Sequence, residues 1–202
     1  MKRPIRERIF RGCATFRQTG GFLSTTQDFN IGDGSTYNAT GMGYVYISGG
    51  TNKLAGARKA WTVGRRDQGA YAEVSGTGVL DCSVSPLYIS PTWGGTSATA
   101  EFWLKTGGTF IGTVVNDNAS ASGAKFVFDG GTFVPSSATP FSKLERFYVD
   151  RGGVCIDTSK QNTTISYKLQ ANCEDSGGLV KVGSNTLTLS GENSYAGPTI
   201  VS

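Results

Sequence analysis

The sequence predicts an all-β chain folded as a single parallel β-solenoid. Two observations predict this class: short segments that alternate apolar and polar residues, and a glycine turn that returns at a nearly regular interval. The second glycine of each turn lies at Gly21, Gly50, Gly78, Gly108, Gly131, Gly153 and Gly178. The steps between these glycines are 29, 28, 30, 23, 22 and 25, a spacing typical of one coil in a stacked repeat protein.

Strand-like segments lie on both sides of the glycine turns. Examples along the chain are residues 44–47, 60–64, 102–104 and 125–128, which are rich in aromatic and β-branched residues. We expect each strand to pair in parallel with its equivalent one coil away. The glycines should then align along one edge, where the backbone needs a positive φ or where a side chain would collide with the next coil.

Composition supports one domain with a large core. The chain has 202 residues with 29 glycines but only 6 prolines, and charged residues make up 17%. This balance, together with the aromatic and β-branched content, excludes collagen and disorder. We predict a solenoid of about seven to nine turns over residues 18–202, and we expect it to be a piece of a longer protein.

The net charge of +4 is concentrated at the start of the chain. Residues 1–17 carry six bases against one acid, whereas residues 18–202 carry 13 bases and 14 acids. Residues 1–17 are therefore predicted to be a cap or linker, with an arm that contacts phosphate or lipid headgroups as the alternative. No nucleic-acid partner is predicted, because the body lacks the basic stripe that such a partner needs.

Neither an export signal nor a membrane span is predicted within this sequence. Residues 1–12 have the positive charge of a signal peptide but not its apolar stretch, so any export signal is expected upstream of this segment. No run of about 18 apolar residues occurs, and no membrane insertion is predicted.

Four cysteines and the absence of histidine limit metal and redox chemistry. The cysteines are Cys13, Cys82, Cys155 and Cys173, with no CxxC spacing, so neither a metal site nor a cofactor is predicted. The interval from Cys155 to Cys173 is close to one coil, and stacked strands lie about 4.8 Å apart. A disulfide between neighbouring coils is therefore possible, although two buried thiols are the favoured interpretation.

Catalytic chemistry finds few candidates. Without histidine, Ser-His-Asp and Cys-His mechanisms are excluded. Four acids in the last third, Asp129, Asp150, Asp157 and Asp175, could approach one another as a glycosidase requires. Asp129 and Asp150 border glycine turns, however, where Asp stabilises the turn through backbone hydrogen bonds. We therefore predict no enzymatic activity, and keep a polysaccharide lyase or glycosidase as the alternative.

Three tryptophans are candidates for contacts with a ligand. Trp93 lies in a turn-like segment, where an exposed ring could stack on a sugar, so it is the predicted glycan contact. A loop ring that covers the core is nevertheless the favoured interpretation of Trp93. Trp61 and Trp103 lie within strands and are expected to fill the core or to stack on the next coil.

The end of the chain carries a specific motif. Residues 177–202 read GGLVKVGSNTLTLSGENSYAGPTIVS, which resembles the autotransporter-associated β-strand repeat, with the approximate pattern G-G-L-x-K-x-G-x-G-T-L-x-L-S-G-x-N-x-Y-x-G-x-T-x-V. Asn185, where the pattern has glycine, and Pro198 are departures from it. The resemblance implies a right-handed, pectin-lyase-like parallel β-helix, exported by a bacterium and without catalytic activity.

The sequence therefore predicts a segment of a secreted or surface-exposed bacterial protein that acts as a rigid scaffold or adhesive module. Its expected partner is a glycan or the surface of a host or other cell. A carbohydrate-active enzyme on the same fold is the first alternative. A phage fibre segment, which would be trimeric, is the second.

Overall fold

A computed structural model describes residues 14–33, 41–65, 69–90, 99–116, 123–144 and 146–202. Within those ranges the chain forms strands and turns and no helix, so it contains no helix that could cross a membrane. In chain order the strands are β1 (Ala14–Thr25), β2 (Phe29–Asp33), β3 (Met42–Leu54), β4 (Trp61–Arg65), β5 (Gly69–Ile89), β6 (Ala100–Lys105), β7 (Thr109–Val115), β8 (Ala124–Asp129), β9 (Thr132–Pro135), β10 (Phe141–Ser142), β11 (Phe147–Val149), β12 (Val154–Asp157), β13 (Thr163–Ile165), β14 (Leu169–Ala171), β15 (Leu179–Val182), β16 (Leu187–Leu189) and β17 (Thr199–Val201).

The strands stack as parallel ladders, which confirms the predicted β-solenoid. The first ladder runs β1, β3, β5, β6, β8, β11, β14, and the second runs β1, β3, β5, β7, β9, β12, β15, β17. The long strands β1, β3 and β5 belong to both ladders because they bend at their glycines and continue. A third face is formed by β2, β4, the end of β5, the end of β7, and β10, and farther along by β13 paired with β16.

The solenoid makes about six turns, fewer than the seven to nine expected. The first ladder agrees with this number, because its seven strands are separated by six coils. The coils also shorten along the chain. Ala70 pairs with Ala100, thirty residues away, whereas Phe126 pairs with Phe147, twenty-one residues away.

The start of the solenoid differs from the expected boundary. The sequence predicts a basic cap over residues 1–17, but residues 14–17 form the first part of β1 and pair with residues 43–46 of β3. The alternation of Thr15, Phe16 and Arg17 is already that of a strand, with the Phe16 ring packed 5.6 Å from the Phe29 ring. The cap or linker prediction for residues 1–13 lies outside the described part of the chain.

The glycine pairs align along one edge, as predicted. Gly50 pairs with Gly78, the Gly130 amide donates to the Gly153 carbonyl at 2.8 Å, and the Val154 amide donates to the Gly178 carbonyl at 2.9 Å. At Gly153 the φ of +74° and the position of an added Cβ, 2.6 Å from the Gly178 carbonyl oxygen, both require glycine. The coils therefore approach backbone to backbone at this edge.

An aromatic stack fills the core along much of the solenoid. Phe29 stacks on Trp61 at 5.3 Å, Trp61 meets Phe102 edge-on at 6.4 Å, and Phe102 lies 4.8 Å from Phe126. Trp61 is fully buried, as the sequence predicts. Offset and edge-on ring pairs add to the free energy gained by burying the rings. Alternate residues of each strand enter this core, and the intervening residues cover the outside.

Candidate functional site

The outer surface of the first ladder carries charged and aromatic side chains in register. In one column Tyr71 pairs with Glu101, which pairs with Lys125. In the adjacent column Glu73 pairs with Trp103. Neighbouring coils lie about 4.8 Å apart in such a ladder, so the side chains of each column contact one another. We call Tyr71, Glu73, Glu101, Trp103, Lys105 and Lys125 the outer ladder cluster.

Carboxylates and lysines of the outer ladder cluster join one coil to the next. Lys105 Nζ lies 3.0 Å from Glu73, and Lys125 Nζ lies 3.2 Å from Glu101. Both lysine nitrogens lie 5.4 Å from the centroid of the Trp103 ring, within the range of a cation–π contact. The sequence predicts that Trp103 fills the core or stacks on an equivalent ring, but it points outward between these lysines. Its register partner on the next coil is Val127.

Hydrogen bonds within each strand hold the same carboxylates. Tyr71 Oη donates to Glu73 at 2.8 Å, and Trp103 Nε1 donates to Glu101 at 2.9 Å. Burial and this hydrogen bond raise the pKa of Tyr71, so its hydroxyl stays protonated and keeps donating. Burial alone would raise the pKa of Glu73, but hydrogen bonds from Lys105 and Tyr71 outweigh it and hold that pKa below its ordinary value. The cluster neutralises its own charges and joins successive coils.

A groove lies farther along the same outer surface. It has a volume of about 550 Å³ and is lined by Arg146, Tyr148, Ser166, Tyr167, Lys168 and Gln170. Tyr148 of β11 and Gln170 of β14 are register partners, and Arg146 and Lys168 lie two residues before them on the same two coils. The outward side chains of these four residues therefore form two neighbouring pairs on adjacent coils. Tyr167 lies just before them, where the chain turns into the first ladder.

Contacts at both ends hold the Tyr167 side chain. Its ring lies 5.8 Å from the buried Phe147 ring, and its hydroxyl accepts a hydrogen bond from the Lys143 amide at 2.7 Å. Lys168 lies 3.1 Å from Glu192, and both side chains are largely exposed. An exposed ion pair of this kind contributes little to stability, so Lys168 can exchange this partner for another anion.

The sequence did not single out these groove residues. The coil length is the sequence feature that could have found them. The interval from Gly131 to Gly153 is 22 residues, and adding it to the positions of Tyr148 and Arg146 gives Gln170 and Lys168. The register of each ladder must be known before that interval can be applied, because the interval varies from coil to coil.

The four acids considered for catalysis are engaged in turns and surface contacts. Asp129 accepts a hydrogen bond from the Gly152 amide at 2.9 Å, and Asp157 accepts one from the Ser159 amide at 2.8 Å. Asp150 accepts hydrogen bonds from the Arg151 amide at 2.7 Å and from the Asn172 side chain. Burial would raise the pKa of Asp150, but these donors hold it below its ordinary value.

Asp175, the last of the four, pairs with an arginine at the surface. Its carboxylate lies 2.7 Å from Arg151 Nε, and this hydrogen bond lowers the pKa of Asp175. Among the residues that the structure describes, no group of three or more His, Cys, Asp or Glu side chains could hold a metal ion. Asp150 and Asp157 therefore accept the local backbone amides typical of turn residues. Asp129 accepts an amide of the next coil, and Asp175 pairs with Arg151.

Cys155 and Cys173 are free thiols at different positions of the coil. Cys155 pairs in register with Thr132 and Val180, whereas Cys173 Sγ lies 3.7 Å from Asp150. One full coil leads from Cys155 to Val180, so Cys173 comes too early in the chain to lie beside Cys155. The structure does not form the possible disulfide, and both thiols are half-buried rather than fully buried. Burial raises the pKa of Cys155, and desolvation together with a hydrogen bond to Asp175 raises that of Cys173.

Trp93, the predicted glycan contact, and Cys13 lie outside the described residues. The role of Trp93 therefore stays a prediction.

Polar side chains join the last coil to the one before it. Asn185 Nδ2 donates to the Thr158 carbonyl at 2.7 Å and to the Ser159 carbonyl at 3.1 Å, and Thr158 Oγ1 donates to the Asn185 carbonyl at 2.7 Å. The Leu169 amide donates to Asn193 Oδ1 at 2.9 Å. Asn185, which departs from the repeat pattern, therefore gains cross-coil hydrogen bonds that glycine would lack.

Comparison with known families supports the motif at the end of the chain. The family model described as Passenger-associated-transport-repeat matches residues 179–202. Within these residues β15 stacks on β12 of the preceding coil, β16 stacks on β13, and β17 stacks on β15. No similar protein was found among curated proteins, and no similar fold among solved structures. The resemblance to a passenger repeat is confirmed over this coil.

Proposed function

We propose that this chain is a non-catalytic segment of a passenger-type β-solenoid, exported to a bacterial surface or beyond it. One observation carries the proposal. The coil that matches the passenger-associated transport repeat continues the ladders of the rest of the chain in register, through β12 to β15 to β17. The repeat is thus a coil of the solenoid, and its family indicates a secreted or surface-exposed protein.

A scaffold role agrees with how the coils are joined. Each coil contacts only its neighbours, so the fold extends along one axis. Core rings, ion pairs of the outer ladder cluster and backbone ladders all run across coils. Such a stack is stiff along its axis and can present surface side chains at fixed spacing. Absence of catalysis is supported by the turn hydrogen bonds of Asp129, Asp150 and Asp157.

Surface display tests the proposal. The chain fused before the translocator barrel of a bacterial autotransporter should reach the cell surface and be released by an external protease at an engineered linker. The matched control is Gly178→Val, because a Cβ at Gly178 would collide with the Pro198 carbonyl and separate the matched coil from the solenoid. We expect this variant to be displayed less and degraded more. A wild-type fusion that folds yet stays inside the cell would contradict the proposal.

The fibre alternative differs in oligomeric state. A single chain already completes its own aromatic core, so light scattering after size exclusion should give a mass near 21.3 kDa. A mass three times larger would favour the trimeric fibre segment instead.

A further inference from the structure

One outward column of the first ladder carries an aromatic ring on every second coil. Its residues are register partners from coil to coil, in the order Arg17, Tyr46, Glu73, Trp103, Val127, Tyr148 and Gln170. We call Tyr46, Trp103 and Tyr148 the aromatic column. Neighbouring strands lie about 4.8 Å apart, so these three residues follow one another at roughly 9.6 Å along the solenoid axis. Their register is unbroken, and their Cα atoms therefore lie on one line.

The surface around the aromatic column is continuous, and its charges are paired. Val127 points outward from β8 but is 0% exposed, so neighbouring side chains cover it. The two lysines beside Trp103 are paired with Glu73 and Glu101. Each of these carboxylates also accepts a hydrogen bond from a ring on its own strand. A carboxylate has about four acceptor positions, so both keep capacity for the hydroxyl groups of a ligand.

The rings are held in place before any ligand arrives. The Arg17 guanidinium lies 4.3 Å from the centroid of the Tyr46 ring, and the two lysines of the outer ladder cluster lie 5.4 Å from that of Trp103. Tyr148 lines the open groove described above. All three side chains stay partly exposed. A ligand can therefore reach them, and ordering them on binding costs little.

An extended β-1,4-linked glycan has the matching repeat. Each sugar advances such a chain by about the height of one coil, and alternate sugars turn the same face to one side. The C–H face of every second sugar then packs on one ring of the aromatic column, while hydroxyl groups between the rings reach Glu73 and Glu101.

We propose that the aromatic column binds a neutral β-1,4-linked glycan that runs along the solenoid axis. The paired charges of this surface favour a neutral chain over an anionic one, because an anionic chain would have to break the existing ion pairs. The inference names the partner class of the proposed surface protein and rests on that function only for where the glycan would be met.

Titration of the purified full chain with oligosaccharides of two lengths tests the site. The probes are the trisaccharides and pentasaccharides of cellulose and of chitin, with maltopentaose, whose α-1,4 links coil the chain, as the control of shape. Three sugars reach two rings, and five sugars reach all three. We therefore expect at least one of the two β-1,4 pentasaccharides to bind, roughly tenfold more tightly than its trisaccharide, and maltopentaose not to bind. The binding should change little with salt concentration, because the probes carry no charge.

Substitutions in the aromatic column locate the binding. Trp103→Leu and Tyr148→Leu should each weaken binding of the pentasaccharide roughly tenfold, as expected for the loss of one aromatic anchor. Trp103→Tyr keeps a ring and should retain most of the affinity. Phe22→Leu is the matched control, because Phe22 is 69% exposed and belongs to the second-ladder part of β1. Its substitution should leave binding unchanged.

Several outcomes would overturn the site. Failure of both β-1,4 pentasaccharides to bind a folded wild-type chain would do so, and surface display would still test the proposed function separately. Equal binding of maltopentaose would remove the requirement for an extended chain, and equal affinity for trisaccharide and pentasaccharide would remove the three-ring array. Binding that falls as much in Phe22→Leu as in Tyr148→Leu would show non-specific ring contacts. Melting temperatures accompany every titration, and a loss in Trp103→Leu that persists in a stable Trp103→Tyr would contradict the ring contact.

Discussion

Single residues decide how closely the coils approach one another. Gly153 has a φ of +74°, and a Cβ there would lie 2.6 Å from the Gly178 carbonyl oxygen of the next coil. Gly20 belongs to the same series of turns but has nothing within 4 Å of an added Cβ. The repeated glycines therefore are not equivalent: some are required by the stacking and others only occupy the pattern.

Valine at these two positions should separate the two cases. We expect Gly153→Val to lower the free energy of unfolding by about 2–4 kcal/mol, because positive-φ strain and the backbone collision add. Gly20→Val should change it by less than about 1 kcal/mol, since the site is open and extended. Chemical denaturation of both variants measures the difference, and equal stabilities would show that the glycine edge has been misassigned.

The coil length decides whether Cys155 and Cys173 can form a disulfide. Because Cys155 and Cys173 occupy different register positions, no disulfide should join them. Peptide mapping under non-reducing conditions should recover the two cysteines in separate peptides. Cys82 should react with a thiol reagent only after unfolding, because burial raises its pKa and blocks access. Recovery of a peptide pair linked through Cys155 and Cys173 would contradict the register.

At the scale of strands, the alternation of inward- and outward-facing residues explains what the sequence could and could not predict. In β6, Phe102 and Leu104 share one face, and Trp103 shares the other with Glu101 and Lys105. The alternation in β6 therefore predicts the outward position of Trp103, whereas the general preference of tryptophan for protein cores predicts the wrong side. The alternation predicted the strands and the glycine edge correctly, since both depend on neighbouring residues alone.

The groove does not follow from the same local patterns. It requires that Tyr148 lie beside Gln170, and this depends on a coil shorter than the earlier one that places Ala70 beside Ala100. Loops of unequal length set the coil lengths, and loop length does not follow from strand alternation. Local patterns thus predict the ladder, whereas the site depends on register between coils.

The outer ladder cluster gives the solenoid a pH dependence at the scale of its strands. The pKa of Glu73 in the folded chain lies below its ordinary value of 4.5. A carboxyl group with a lowered folded pKa stabilises the fold fully above its unfolded pKa and loses that contribution as pH falls through the folded value. The contribution of Glu73 should therefore be present at pH 6 and fade below about pH 4.5.

Melting temperatures at pH 6 and pH 3.5 test the cluster. The wild-type chain should lose stability over this interval, and Glu73→Gln should lose less because one titrating group is gone. Some loss remains in the variant. Burial alone would raise the pKa of Asp81, but hydrogen bonds from Ser83 and Lys53 outweigh it and hold that pKa below its ordinary value. Lys105→Met combined with Glu73→Gln should show coupling at pH 6 that disappears at pH 3.5. Identical pH dependence in wild type and Glu73→Gln would contradict the assignment.

At the scale of the whole molecule, the polar groups of the described residues join coils rather than converge on one reactive centre. The carboxylates of Asp129 and Asp150 accept backbone amides at the glycine edge, and Glu73 and Glu101 pair with lysines on the next coil. A glycosidase needs one carboxyl group protonated at working pH beside an ionised one. The pKa of Asp150 is lowered rather than raised, which is opposite to what a general acid requires.

We therefore expect no cleavage of polygalacturonate, hyaluronan or mucin glycans by the purified chain. Asp150→Asn should act on stability instead, lowering the melting temperature, because Asp150 organises the turn through the Arg151 amide and the Asn172 side chain. Reducing-end and unsaturated-product assays, run beside thermal denaturation of wild type and variant, measure both effects. Cleavage that disappears in Asp150→Asn or Asp129→Asn, with the fold intact, would establish the enzyme alternative over the scaffold. Loss of stability without any turnover in the wild type would instead assign these carboxylates to the turns that hold successive coils together.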